Sequence, residues 1–317
     1  MTRPHVYCLG TVVLDRIVEV DRLPGPDDKV FVKAKREGPG GPARNAAAAL
    51  AAWGETVSLA SVVGDDPIGM KLLARLDDES IGSEAIDVLP DLETAATLIM
   101  VDDAGERAIV IEPVPDAVLA KIGRSLKPAA GDAVVANFFH VEALASTFDR
   151  ARQAGAFAVL DLELPELLRW GWDAAFRAAA SADVVITNSQ VVRAFAEREG
   201  LVSASAEDVA RSLASRLRPA GGRVCVTLGA AGVVAREGDA LMRVAALPVK
   251  PRDTTGAGDR FMAGLVRALL DGAMFDVALR RAVAAAGLLL SGDPHDWGDA
   301  ERAARSLTLV TLGEAVG

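Results

Sequence analysis

The sequence predicts an α/β fold: a mostly parallel central sheet covered by helices, with two β inserts set apart from it. Three observations carry this expectation. Short apolar runs alternate with helical apolar spacing along most of the chain, the pattern of crossover units feeding a parallel sheet. Hydrophobic residues fill 51% of the 317 positions, and much of that is Ala and Val, which suits helices packed closely on a buried sheet. Two stretches, residues 17–37 and 94–112, break the alternation with β pattern and no following helix. A single domain over residues 1–317 is expected, with these stretches as its inserts.

Taken in order, residues 6–9 give the first strand. An Ala-rich helix is predicted over 43–53, fed by Gly38-Pro39-Gly40-Gly41-Pro42 and closed by Gly54. Apolar runs at 57–62, 133–136, 156–160, 184–187 and 224–228 read as further strands. Helical spacing covers 69–79, 141–154, 165–180, 206–217 and 259–270, and a final helix covers 276–291. The second insert reads as a hairpin, 96–101 and 107–111, turned by Asp102-Asp103-Ala104-Gly105-Glu106. No fixed-period repeat or low-complexity linker interrupts the series.

Composition narrows the function. Lys and Arg number 34 against 44 Asp and Glu, a formal charge of −10, which argues against nucleic acid as a partner. No apolar run reaches the ~18–20 residues of a membrane span. The start, Met1-Thr2-Arg3-Pro4-His5, lacks a signal-peptide core, so a cytoplasmic protein is expected. The two cysteines, Cys8 and Cys225, lie in apolar runs and read as buried thiols. No CxxC pair or His cluster points to zinc.

The chemistry concentrates in Asp253-Thr254-Thr255-Gly256-Ala257-Gly258-Asp259. Small residues at a helix start leave backbone N–H groups open, and the helix dipole favours an anion there. Asp259 would repel that anion unless it takes a proton from a nucleophile attacking it, and a base beside an anion cradle is the minimum for phosphoryl transfer to a hydroxyl. Taken alone, the same turn reads equally well as a structural helix start with a charge cap. The second glycine turn, Gly40-Gly41, places Asn45 in the first turn of its helix, where an amide can both donate to and accept from sugar hydroxyls.

Together these segments resemble the paired signatures of the PfkB carbohydrate kinases, the ribokinase-like enzymes. The resemblance extends to residues 6–15 as a first strand ending in Asp15, to Thr187-Asn188, and to Thr227-Leu228-Gly229. It implies a three-layer ribokinase-like fold in which the two inserts form a small β lid, through which relatives can dimerise. It implies ATP and Mg²⁺ as cofactors. Asp259 would be the base, and Gly256, Ala257 and Gly258 the anion hole. Asp15, Gly40, Gly41 and Asn45 would hold a sugar. Asn188, Thr227, Gly229 and Arg252 would meet the nucleotide. Asp253 and Thr255 match positions where relatives bind a monovalent cation, K⁺.

Three departures mark this chain. The family's Asn-x-x-Glu reads Asn188-Ser189-Gln190-Val191, so Val191 stands in place of the acid that helps order Mg²⁺; either Glu197 or another acid substitutes, or metal affinity is reduced. Residues 290–297 lack the usual basic, Gly-rich continuation. Arg44 directly precedes the key Asn. With Lys29, Lys33, Lys35, Arg36 and Arg107 it offers cations that would read an acidic, phosphorylated or sulfonated sugar if they face inward, and a solvated face if they do not. Phe31, Phe138, Phe139 and His140 offer rings for a nucleoside base. A non-catalytic sugar-binding protein of the same fold is the alternative from another class. A dinucleotide-binding fold and a P-loop kinase are disfavoured, since neither glycine signature occurs.

Overall fold

The computed structural model describes residues 3–137, 140–217, 222–251, 254–292 and 295–312. Its centre is a ten-stranded sheet. Seven strands are parallel: β1 (His5–Leu9), β4 (Thr56–Gly64), β5 (Gly82–Leu89), β8 (Ala133–Asn137), β9 (Phe157–Leu162), β10 (Val184–Asn188) and β11 (Arg223–Thr227). Three antiparallel strands extend one edge: β12 (Val233–Glu237), β13 (Ala240–Val244) and β14 (Leu309–Leu312). The order across the sheet is β14-β13-β12-β11-β10-β9-β8-β1-β4-β5.

Helices cover both faces, giving three layers. One core packs α1 (Pro42–Ala52), α2 (Pro67–Asp78), α8 (Ala257–Leu270), α9 (Phe275–Ser291) and α10 (Trp297–Ala304) on side chains such as Val6, Cys8 and Cys225. The other packs α3 (Asp116–Leu119), α4 (Val141–Ala154), α5 (Leu164–Ser181), α6 (Ser189–Glu199) and α7 (Ala206–Leu217) on Leu9, Val134 and Leu160. Neighbouring strand residues thus feed opposite cores, as the two faces of a pleated sheet require. Small residues set the spacing. A Cβ at Gly264 would lie 3.1 Å from Ala282 Cα and from Ala285 Cβ, so α8 and α9 touch backbone to side chain.

The lid is a separate four-stranded sheet, ordered β3-β2-β6-β7. It joins β2 (Val13–Glu19), β3 (Ala34–Gly40), β6 (Ala96–Val101) and β7 (Arg107–Ile111). The hairpin stands where the sequence puts it, residue for residue. The first insert differs from expectation, because β1 stops at Leu9 and the lid already begins at Val13. Asp15 therefore belongs to a lid strand, opposite Gly38, rather than to the end of the first sheet strand. The chain also continues past the helix expected to be last, through α10 and β14. Among the described residues no helix is long and apolar enough to cross a membrane.

Candidate active site

Two helix N-termini meet beneath the lid. The first belongs to α8. Gly256 sits before it at φ 75, a left-handed conformation that side chains resist. Among the described residues no side chain caps this end, so the first-turn N–H groups keep their capacity for an anion. A Cβ at Gly258 would meet nothing within 4 Å, which leaves the approach to those groups open.

The second N-terminus is that of α1. Gly41 precedes it at φ 98, and a Cβ there would lie 2.2 Å from the Thr11 carbonyl oxygen. Gly40 has a different reason to be bare: a Cβ would lie 2.1 Å from Asp15 Oδ2. The Asp15 carboxylate thus rests on the Gly40 backbone. Pro42 starts the helix, and Asn45 N–H closes its first turn on the Gly41 carbonyl at 2.9 Å.

One hydrogen bond joins the two ends. Asn45 Nδ2 donates to Asp259 Oδ2 at 2.8 Å, across 214 positions of sequence. The orientation of that amide is supported from behind. Arg44 Nη1 donates to Asn45 Oδ1 at 3.4 Å, while Arg44 Nη2 is paired with Glu79. Arg75 Nε holds the other oxygen of Glu79 at 2.9 Å.

Electrostatics single out the same carboxylates. Burial raises Asp259 to about 6; the Asn45 hydrogen bond opposes the rise, and the charge of Asp15 adds to it. Asp15 is also raised by burial, against the pull of Arg44 and a hydrogen bond from Thr97. A further acidic group adjoins them. Asp161, at the end of β9, is pushed to about 8 by burial and by the charges of Asp259 and Glu166. Glu163 is raised well above the usual range by burial, then by Asp161, Glu166 and Asp259. Glu166, in the first turn of α5, is raised by burial. Sequence reasoning missed these three. The signal was present in Asp161-Leu162-Glu163-Leu164-Pro165-Glu166, three carboxylates at a strand end where apolar residues would otherwise close the core.

Residues 3–292 match the family described as pfkB family carbohydrate kinase. The chain belongs to the pfkB family. It is 30% identical over 308 residues to the bifunctional protein HldE of Bradyrhizobium diazoefficiens, aligned over 90% of this chain and 59% of that protein. The chain thus spans under two thirds of that relative's length. It is 29% identical to a fructokinase of Vibrio alginolyticus, over 84% of each chain. The fold matches that of Arabidopsis thaliana ribokinase, solved with ribose and ATP, at a TM-score of 0.72, covering 96% and 98% of the two chains at 21% identity.

The remaining family positions are placed as follows. Asn188 caps α6, its Oδ1 accepting from Gln190 N–H at 3.0 Å and Val191 N–H at 3.3 Å. Val191 is fully buried in the core, so an acid could not replace it without moving α6. Glu197 lies on the exposed side of that helix. Thr227 Oγ1 donates to the Thr187 carbonyl at 3.2 Å, and Gly229, at φ 59, starts a short 3₁₀ turn to Ala231. Arg252 and Asp253 fall outside the described residues, as do Phe138 and Phe139. Thr255, expected at the monovalent-cation site, accepts from the lid residue Arg107.

The proposed anion readers are not brought together. Arg44 is tied to Glu79, Lys29 is exposed, and Lys33 Nζ pairs with Asp103 at 2.6 Å within the lid. Lys35 and Arg36 are exposed as well, and Phe31 is 90% exposed. Among the described residues no group of three or more His, Cys, Asp or Glu side chains is arranged to hold a metal directly. Mg²⁺ keeps its waters and binds mainly through substrate phosphates, with one or two carboxylates. Asp161, Glu163 and Glu166 would be the hard oxygen donors to such a shell, and Glu166 Oε2 is buried with no hydrogen-bond partner among the described residues.

Proposed function

We propose that this pfkB-family kinase transfers the γ-phosphoryl group of ATP to a hydroxyl of a neutral sugar, with Asp259 as general base. The observation that carries the reading is the Asn45–Asp259 hydrogen bond at the open N-terminus of α8. It ties the base to the residue expected to hold the acceptor. The acceptor oxygen attacks the γ-phosphorus as its proton passes to Asp259. The new O–P bond forms, the bond to the β-bridging oxygen breaks, and ADP leaves. The N–H groups of Gly256, Ala257 and Gly258 lie where charge develops on the transferring group. Asp15 and Asn45 hold the acceptor through its hydroxyls. Mg²⁺ would neutralise phosphate oxygens, with Asp161, Glu163 and Glu166 in its hydration shell. The lid excludes water that would otherwise hydrolyse ATP.

A neutral acceptor fits the placement of the cations: Arg44 spends its charge on Glu79, Lys33 pairs with Asp103, and Lys29 faces solvent. The names of the fructokinase relative and the ribokinase neighbour put fructose and ribose first among candidates. The test is ADP release over ketoses, aldoses, sugar acids, sugar phosphates and nucleosides, for wild type and Asp259→Asn. A neutral sugar should turn over best, and Asp259→Asn should lower kcat by ~10²–10⁴ while acceptor binding survives. Preference for a sugar phosphate would overturn the neutral acceptor; undiminished turnover by Asp259→Asn would remove the base.

A further inference from the structure

Helix α1 brings a cation to the acceptor end of the site, and the end of α2 cancels its charge. Arg44 directly precedes Asn45, and its Nη1 donates to Asn45 Oδ1 at 3.4 Å. Its charge also reaches Asp15: burial raises that carboxyl, and Arg44 opposes the rise. Asn45 and Asp15 are the two side chains read to hold the acceptor. The Arg44 side chain is only 12% exposed, so water screens its field weakly. An anionic group entering beside Asn45 would meet a full positive charge if nothing else balanced it.

Glu79 balances it. This residue ends α2, and its carboxylate pairs with Arg44 Nη2 across 35 positions of sequence. Among the described residues it is the one ion pair that Arg44 makes. Arg75 Nε holds the other Glu79 oxygen at 2.9 Å, but Arg75 is 54% exposed and its charge is largely met by solvent. The partly buried pair, Arg44 with Glu79, is therefore close to neutral as the cleft meets it. A tie between α1 and α2 does not need charges, since apolar residues of similar size hold helices together at least as well. The ion pair adds an electrical effect. It sets guanidinium donors behind Asn45 while removing the charge that would draw in an anion.

We propose that Glu79 is a specificity-determining residue, which keeps anionic acceptors out by neutralising Arg44. It touches no substrate and acts through the arginine. The proposal rests on reading Asp15 and Asn45 as the acceptor site. A site can reject a ligand by withholding the counter-charge that ligand needs, as well as by favouring its competitor. A neutral sugar needs only hydrogen bonds for its hydroxyls. A sugar phosphate or sugar acid must leave water for a place where the nearest guanidinium is already satisfied, so its desolvation goes uncompensated.

The test removes the charge and keeps the shape. Glu79→Gln retains an oxygen for Arg44 but leaves the guanidinium unbalanced. Fructose and ribose are compared with fructose 6-phosphate and ribose 5-phosphate, each as acceptor at saturating ATP and Mg²⁺, and the esters also as competitive inhibitors of the neutral sugars. In Glu79→Gln the preference for ester over parent sugar should rise on the order of tenfold above wild type, the scale of one charge-assisted hydrogen bond. The KM for ATP should stay where it is. Raising the ionic strength should erode the gain, a response that a packing defect would not give. Adding Arg44→Met to Glu79→Gln should abolish it, because no cation is left to read the anion. A thermal melt accompanies each variant. An unchanged preference in folded Glu79→Gln, or an equal rise in the double variant, would mean that Glu79 only ties α2 to α1. Wild type tests the neutral-acceptor reading separately: if it prefers the esters, that reading fails, while the change on Glu79→Gln still decides the role of Glu79.

Discussion

A carboxylate serves as a base only while ionised, and burial works against that for Asp259. Its pKa is raised to about 6, and the Asn45 hydrogen bond limits the rise. The ionised, active form therefore dominates above about pH 6 and is lost as the pH falls through that value. In wild type, kcat/KM should rise with pH and level off beyond an acidic limb near 6, because this ratio reports the free enzyme. Asn45→Leu removes the hydrogen bond that favours the charged form, so its limb should move to higher pH. A limb that stays in place would detach Asn45 from the base. At this scale the sequence was readable where a residue sat inside a turn-and-helix motif, as Asn45, Gly41 and Asp259 do. The role of Gly40 beside Asp15 was not readable in its physical form, since it depends on a carboxylate lying on a bare backbone from another strand. The Asp161, Glu163 and Glu166 group was missed because its chemistry comes from burial, and alternating acids at a strand end also occur on solvated surfaces.

The end of α8 is an element whose function rests on what is not there. Among the described residues Gly258 has no neighbour within 4 Å of an added Cβ, which leaves room for a side chain at that point. Helix propensity also does not favour Gly over Val at a helical position. Gly258→Val should therefore leave the melting temperature close to wild type while blocking the phosphate's approach to the α8 N–H groups. The loss expected for one such donor is ~3–4 kcal/mol of transition-state stabilisation, read as a fall in kcat measured beside a thermal melt. Normal kinetics in a folded variant would make the turn purely structural. Elements were legible where periodicity was strong and bounded: the 96–101 and 107–111 hairpin has a charged turn with Gly105 between β-rich runs. α6 is absent from the expected helices although Val191, Val192, Phe195 and Ala196 carry its apolar face, because its start, residues 188–191, is read as the Asn-x-x-Glu segment. α10 is eight residues long and contains Gly298, too short for a clear period. The antiparallel β12 and β13 have no helix between them, the signal by which the parallel strands are recognised, and β14 is only four residues long.

On the scale of the whole molecule, the two sheets face different fates. The central sheet is walled by helices, and its strands are continuous apolar runs. The lid sheet is thin and ends at β7, which pairs with β6 on one side only. Its residues Ile109, Val110 and Ile111 are 52%, 56% and 54% exposed, and Leu98 across from Val110 is 39% exposed. An unpaired edge bearing consecutive apolar side chains is a template for another strand unless it is covered. A second copy of this chain offers the same edge, and antiparallel pairing of β7 with its twin would satisfy both by a two-fold axis. We therefore propose the lid as the dimerisation element. Light scattering on the purified protein should give about twice the chain mass of 33.0 kDa. Val110→Lys places a charge on the edge and should shift the mass to that of one chain, with the melting temperature of the central fold little changed. Wild type at the mass of a single chain would end the proposal. A dimer unaffected by Val110→Lys would move the interface elsewhere on the surface.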